Sequence, residues 1–217
     1  MLCAIILPSR ARPDRLLKTL ESVRATIDNP LYTEILIRLD DDDQESLARR
    51  NEFEHPDPRT VVPSLMLSEL KGKWPRTRVI VGPRGRGYGD LHKMYGELAA
   101  ATEASWLWMM NDDAVIVGQG WDKQLYELPT TGLLVQPETY QLGFSRYANS
   151  EGGAFPIFPN NCWLPEWQDG PENPLDVAID ELLRKRRGWK THFLPGIEVV
   201  HDRDDDASLE AHRALPT

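Results

Sequence analysis

Cysteines are scarce in this chain, and long apolar runs are missing. Of its 217 residues only Cys3 and Cys162 are cysteine, too few for a disulfide framework, and no CxxC motif is present. The longest apolar runs, Leu2–Leu7 and Trp106–Met110, are far shorter than the roughly 18 residues that span a bilayer. Met1–Leu7 also lacks the basic flank and cleavage site of a signal peptide. We therefore expect a soluble, cytoplasmic protein with no membrane span.

Positive charge is in the minority. The chain has 25 Lys and Arg against 34 Asp and Glu, which gives a net charge of −9. Much of the acidity is local, because ten acids lie in three clusters: Asp40–Asp43, Asp112–Asp113, and Asp202 with Asp204–Asp206. The rest of the chain is nearly neutral. Such a chain is not typical of general nucleic-acid binders.

The length suits a single domain over residues 1–217, with no internal repeat. Strands are predicted at Cys3–Leu7, Glu34–Leu39, Arg78–Val81, Trp106–Met110, Gly132–Val135 and Ile197–Val200. Helices are predicted after the first and third strands, the second of them with Asp90 as N-cap. This alternation predicts an α/β fold with a mostly parallel central sheet flanked by helices, whose ligands bind beyond the carboxyl ends of the strands.

Two segments depart from this alternation. Residues 44–76 are interpreted as an insertion-like helical segment, with helices near Glu45–Phe53 and Ser64–Leu70. Residues 144–174 are rich in Pro, Gly, Asn and Trp, which is typical of a long functional loop.

The acid clusters follow predicted strands, and this placement favours a metal site. Neighbouring carboxylates repel one another, and a divalent cation with oxygen ligands offsets that repulsion. His201 ends a further strand, and imidazole together with carboxylates is a normal Mn²⁺ shell. The alternatives are ordinary strand-end turns for the two aspartate clusters and a structural role for His201.

Four features, taken in order, resemble a family 2-like glycosyltransferase with a GT-A fold. They are a strand ending Ile6-Leu7-Pro8-Ser9-Arg10 before Arg12-Pro13, a strand ending in Asp40, the DxD-like Asn111-Asp112-Asp113, and the acids Asp176 and Asp180 ahead of Gly188-Trp189 and His201. The resemblance spans about residues 3–202. It departs from the family at Asn111, which replaces the first aspartate, and in lacking an adjacent Glu-Asp pair in the acid-bearing helix.

The resemblance implies a metal-dependent, inverting enzyme that moves a sugar from a nucleotide-sugar, expected to be a UDP-sugar, to an unidentified hydroxyl. The acceptor could be a glycan, a lipid, a protein or a hydroxylated DNA base. Asp113 and His201 would hold Mn²⁺ or Mg²⁺, and Asp112 would assist or contact the sugar. The sequence specifies neither the sugar nor the oligomeric state.

The same resemblance assigns the donor site. Pro8 and Ser9 would shape the base pocket and Asp40 would hydrogen-bond the base. Arg10, Arg84 and Lys93 would assist at the phosphates, the alternative being ordinary surface cations. The loop from Gly82 to Gly89 would lie near the donor or form a plain turn.

Asp176 is the expected general base, with Asp180 one turn later as the second candidate. Its alternative role is in the first turn of a helix, where an acid complements the helix dipole. Trp163 and Trp167 would bind the acceptor or pack locally. The rival functions are a nucleotidyltransferase of similar fold and a non-catalytic sugar- or nucleotide-binding module.

Overall fold

The computed structural model describes residues 2–61, 73–86, 90–141, 155–164 and 175–201. Its strands are β1 (Cys3–Ser9), β2 (Thr33–Asp40), β3 (Arg76–Gly82), β4 (Trp106–Met109), β5 (Ala114–Val117), β6 (Leu133–Gln141), β7 (Ile157–Pro159) and β8 (Lys190–His201). The α-helices are α1 (Pro13–Thr26), α2 (Gln44–Ala48), α3 (Arg50–Phe53), α4 (Pro58–Val61), α5 (Leu91–Ala100), α6 (Trp121–Tyr126) and α7 (Leu175–Asp180). Helix α7 continues as a π-helix over Glu181–Arg186. No helix in the described ranges combines the length and the apolar character that crossing a membrane requires.

All eight strands belong to one sheet in the order β3-β2-β1-β4-β7-β6-β8-β5. The first four strands are parallel, as are β6 and β8, whereas β7 and β5 pair antiparallel with their neighbours. The predicted α/β fold with a mostly parallel central sheet is therefore confirmed. The parallel half contains β2, which leads into Asp40–Asp43, and β4, which leads into Asn111-Asp112-Asp113.

The central strands are buried on both faces, which explains their unbroken apolar sequences. Alternate residues of β1 therefore enter two separate cores. Ile5 and Leu7 pack with helices α1, α3 and α6, through side chains that include Leu16, Phe53 and Trp121. Ala4 and Ile6 face the opposite core. That core includes Tyr95 of helix α5, Ile179 of helix α7 and Leu183 of the π-helix that continues α7.

The mixed half of the sheet, formed by β7, β6, β8 and β5, was only partly predictable from the sequence. Strands β6 and β8 are longer than their apolar runs, and β5 and β7 were not predicted. Strand β7 has three residues and lies within the segment 144–174, between β4 and β6. A segment so short carries no readable alternation, and its strand conformation depends on the two partners that flank it.

The segment 44–76 begins with two short helices in place of the single one predicted near Glu45–Phe53. Helix α2 ends at Ala48, and helix α3 then inserts Phe53 into the core. His55 forms an isolated bridge to Thr77 of β3 and stacks on Trp74 with ring centroids 4.1 Å apart. The helix predicted near Ser64–Leu70 lies outside the described residues.

Candidate functional site

Parallel pairing brings three strand ends to one edge of the sheet. Ser9 is in register with Leu39, next to Asp40, and Ile6 is in register with Met109, just before the Asn111-Asp112-Asp113 turn. Side chains that are far apart in sequence therefore meet beyond the carboxyl ends of β1, β2 and β4. This is the edge at which ligands bind in open α/β sheets.

Asp112 lies at the centre of this edge and is completely buried. The Ser9 hydroxyl donates a hydrogen bond of 2.7 Å to its Oδ2, and Nη2 of Arg12 lies 2.6 Å from its Oδ1. The hydroxyl of Thr19 donates to the main-chain oxygen of Asp112 at 3.0 Å. Burial raises the pKa of the Asp112 carboxyl to about 6, although Arg12 and the Ser9 hydroxyl both oppose that rise.

The residues on either side of Asp112 are also held in place. Asp113 is nearly buried, and its Oδ2 lies 3.6 Å from Nη1 of Arg12, so one guanidinium faces both carboxylates. The Tyr95 hydroxyl lies 3.0 Å from Oδ1 of Asn111 and 2.8 Å from the carbonyl oxygen of Met110. Helix α5 thereby fixes the Asn111-Asp112-Asp113 turn from the face of the sheet opposite helix α1.

Asp40 forms a second buried acidic centre at the same edge. Its Oδ2 lies 2.5 Å from Nη1 of Arg10, and its Oδ1 accepts hydrogen bonds from Arg38 at 3.1 Å and from the Gly85 amide at 3.2 Å. The carboxylate predicted to contact the base therefore also fixes the loop after β3. Pro8, the other predicted base-pocket residue besides Ser9, lies buried in β1 opposite Arg38.

Two further aspartates of the Asp40–Asp43 cluster, Asp42 and Asp43, also have defined partners. Asp42 is exposed and lies between two arginines, 2.7 Å from Nη1 of Arg10 and 3.2 Å from Nη1 of Arg84. Hydrogen bonding to Arg10 lowers the pKa of Asp42. Asp43 caps helix α2 through the Ser46 amide and also accepts a 2.8 Å hydrogen bond from the amide of Ala11.

That hydrogen bond supports a strained conformation in the loop after β1. Ala11 has a φ of 53°, which is in the left-handed region that residues with a Cβ seldom occupy. Such conformations persist where the surrounding structure enforces them, and they cluster at functional sites. The strained peptide separates Arg10, which faces Asp40, from Arg12, which faces Asp112.

His201 is the last residue of β8, and its backbone is in register with Ala114, the residue after Asp113. The pairing of β5 with β8 thus sets the backbone of His201 next to the turn that contains Asp113. The His201 side chain lies outside the described atoms. No group of three or more His, Cys, Asp or Glu side chains arranged to hold a metal occurs among those described.

The other predicted site residues lie on the helices. Lys93 forms a 3.2 Å ion pair with Asp90 at the start of α5. Asp176 is partly buried in the first turn of α7, whereas Asp180 is buried and both of its oxygens bind the Arg184 guanidinium. Placement in that first turn agrees equally with a base and with a dipole-complementing acid.

The two tryptophans predicted to bind the acceptor differ in what the structure describes. The ring of Trp163 stacks near Phe158, with centroids 6.3 Å apart, and packs against the core that includes helix α5. Trp167 lies outside the described residues.

Two arginines at the site were missed by the sequence reasoning. Arg12 follows Arg10 by two residues, and it was noted only as part of a helix start. Arg38 is a lone cation inside the apolar strand β2 and is 2% exposed. A charged residue in the middle of a buried strand was a signal, because such groups are buried only when paired.

Comparison with solved structures identifies the fold. The chain superimposes on S. aureus TarS 1–349 in complex with UDP-GlcNAc with a TM-score of 0.67 at 9% identity, covering 100% of this chain and 62% of that one. The complex of TarS 1–349 with UDP gives a TM-score of 0.60 at 11% identity, covering 98% and 64% of the two chains. GalNAc-T7 with UDP, GalNAc and Mn²⁺ gives 0.57 at 12% identity, covering 94% and 44%.

These matches show that the chain has a GT-A-like glycosyltransferase fold. The chain spans less than two thirds of the length of these structural neighbours. No family model matches the sequence, and a comparison with curated proteins finds no match.

Proposed function

We propose that this protein is a glycosyltransferase that transfers a sugar from a UDP-sugar to a hydroxyl acceptor. The observation that carries the proposal is the convergence of Ser9, Arg10, Asp40, Asp112 and Asp113 at the carboxyl edge of a sheet with a GT-A-like fold. Structural neighbours with this fold were solved with UDP, and one of them with UDP-GlcNAc. As part of the proposal, residues 1–217 act as one cytoplasmic unit, and the residues of segment 144–174 outside β7 form an acceptor-side loop.

A divalent ion fits part of the donor set. Asp113 supplies a nearly buried carboxylate, and the register of β5 with β8 sets His201 beside it in the sheet. Asp112 fits less well, since one of its oxygens accepts from Ser9 and the other faces Arg12. We therefore assign Mn²⁺ or Mg²⁺ to Asp113 and His201. The chemistry such an ion supplies is neutralisation of the negative charge on the leaving diphosphate.

The cations at the edge suit the donor phosphates. Arg10 and Arg84 both face Asp42, whose side chain is exposed. A diphosphate carries more charge than one carboxylate and accepts paired guanidinium hydrogen bonds, so it can replace Asp42 as their partner. Lys93 adds a cation on helix α5. Asp40, anchored by Arg38 and the Gly85 amide, is assigned to the base.

For transfer itself we assign Asp176 as the base that takes the proton from the acceptor hydroxyl. Asp180 is the weaker candidate, because its bidentate pair with Arg184 occupies both carboxylate oxygens. A base that acts from the side opposite the leaving diphosphate gives inversion at the anomeric carbon. Trp163 and Trp167 are assigned to the acceptor side.

The decisive experiment is a thermal-shift screen of nucleotide sugars with Mn²⁺ and with EDTA, since a ligand of the folded state raises the melting temperature. We expect stabilisation by UDP and UDP-sugars over the other nucleotides. Incubation with the stabilising UDP-sugar should slowly release UDP. Binding without any UDP release, with or without acceptor, would indicate a binding module. Release of pyrophosphate from a nucleoside triphosphate would indicate a nucleotidyltransferase.

A further inference from the structure

One guanidinium serves two adjacent buried carboxylates at the end of β4. Nη2 of Arg12 lies 2.6 Å from Oδ1 of Asp112, and Nη1 lies 3.6 Å from Oδ2 of Asp113. The contact with Asp112 is a close ion pair to a buried carboxylate oxygen. Arg12 therefore places a positive charge beside both aspartates.

The two carboxylates need such a charge. Asp112 is fully buried and Asp113 nearly so, and adjacent carboxylates in this setting repel each other. An unpaired buried carboxylate is strongly destabilising, whereas a nearby cation offsets much of that cost. Arg12 gives the acidic pair a counter-ion that is part of the polypeptide chain.

Arg12 is also placed so that its side chain can leave. It is the residue that precedes helix α1, and about a third of its side chain is exposed, at 34%. The guanidinium can therefore move towards solvent without disturbing the buried side chains of α1. By contrast, Arg38 beside Asp40 is enclosed, with 2% of its side chain exposed.

We propose that Arg12 competes with a divalent cation, held at Asp113, for the negative charge of the Asp112–Asp113 pair. In the metal-free chain Arg12 neutralises the pair, and a cation bound at Asp113 displaces the guanidinium, because two positive centres beside the same carboxylates repel each other. The inference rests on the proposed function only in taking Asp113 as a metal ligand. It predicts that the protein folds without a metal ion. It also predicts that Arg12 lowers the affinity of the site for metal.

The test is Mn²⁺ binding to the purified full chain, followed by the electron paramagnetic resonance signal of free Mn²⁺. Arg12→Met should bind Mn²⁺ about tenfold more tightly than the wild type, since a unit charge within a few ångströms of the ion is removed. In EDTA the melting temperature of this variant should be about 5 °C or more below that of the wild type. Mn²⁺ should raise the melting temperature of the variant by more than it raises that of the wild type. Arg12→Lys keeps the charge and should stay within about threefold of the wild-type affinity.

The matched control is Arg50→Met, which removes a similarly exposed arginine from its ion pair with Glu54. This variant should leave Mn²⁺ affinity unchanged. If Arg12→Met does not fold, Arg12→Gln removes the same charge while keeping hydrogen-bond donors, and it carries the same expectation. Mn²⁺ affinity that is unchanged or weaker in the charge-removing variant would overturn the competition.

A parallel titration with UDP in EDTA separates this inference from the proposed function. If wild type and variants all fail to bind Mn²⁺ but still bind UDP, the competition and the metal assignment are wrong while the donor site stands. If Mn²⁺ binds more tightly to Arg12→Met and no nucleotide binds, the competition stands and the proposed donor is wrong.

Discussion

Arg38 and Asp40 form an ion pair inside the protein, with Nη1 of Arg38 3.1 Å from Oδ1 of Asp40 and only 2% and 1% of the two side chains exposed. Arg38 also donates to the carbonyl oxygens of Leu39 and Pro83 and pairs with Glu97 of helix α5. This arginine therefore connects β2, the loop after β3 and helix α5. The site edge depends on it even though it is almost completely enclosed.

Replacing Arg38 should cost far more stability than replacing an exposed arginine. Arg38→Met leaves carbonyl oxygens without their donor and weakens the neutralisation of a buried carboxylate, so the free energy of unfolding should fall by about 3–5 kcal/mol. Urea denaturation measures the change. The double variant with Asp40→Asn should lose less than the sum of the two single losses. A loss as small as that of Arg50→Met would show that the buried pair is not stabilising.

A side chain at position 82 should lower the stability of the protein. A Cβ at this position would lie 2.6 Å from Nη2 of Arg38, whose guanidinium is fixed by several partners. Gly82→Ala should therefore lower the free energy of unfolding by about 1–3 kcal/mol, as overpacking does. Gly85→Ala is the matched control, because its Cβ would meet the terminal methyl of Met94, which can rotate away. Equal losses in the two variants would contradict this reasoning.

The metal assignment predicts that Asp113→Ala removes the Mn²⁺-dependent part of UDP binding. The reason is the loss of the carboxylate assigned to the ion, and isothermal titration with Mn²⁺ and with EDTA measures it. Asp14→Ala, which removes an exposed carboxylate paired with Arg49, is the control and should bind like the wild type. If Asp113→Ala retains the full effect of Mn²⁺ on UDP binding, the ion is held elsewhere.

The base assignment predicts different outcomes for two acids of one helix. Asp176→Asn should keep donor binding and lose transfer by about 100-fold or more, as expected when a general base is removed. Asp180→Asn breaks the pair with Arg184 and should mainly reduce stability, by about 1–3 kcal/mol. Transfer rates under donor saturation and denaturation curves separate the two effects. Normal transfer by Asp176→Asn would move the role to Asp180 or another group.

His55 should make the protein less stable in mild acid. Burial, and next the nearby charge of Arg24, lower its pKa below the ordinary value of 6.5. The unfolded chain then binds a proton at higher pH than the folded chain, so stability is lost as the pH falls through about 6.5. His55→Phe keeps a ring against Trp74 without a titrating group. Its free energy of unfolding should decline less between pH 7.5 and 5.5, and a parallel decline would exclude His55 as the cause.

The sequence located the main strands of the parallel half of the sheet because local pattern controls them. The apolar runs of β1, β2 and β4 are buried on both faces, and such strands are continuous in hydrophobicity. The aspartates after β2 and β4 were placed at the site edge for the same reason. The mixed half was less predictable, because β5 and β7 have four and three residues and exist through their sheet partners.

The chain by itself determined that the aspartates after β2 and β4 reach the carboxyl edge, because residues that directly follow buried parallel strands lie at that edge. Only the tertiary structure decided how those residues pair. Ser9 and Asp112, 103 residues apart, form one hydrogen bond, and Arg10 and Arg12 face different aspartates although a single residue separates them. These pairings depend on strand register and on the left-handed turn at Ala11, which long-range contacts fix and local composition does not encode.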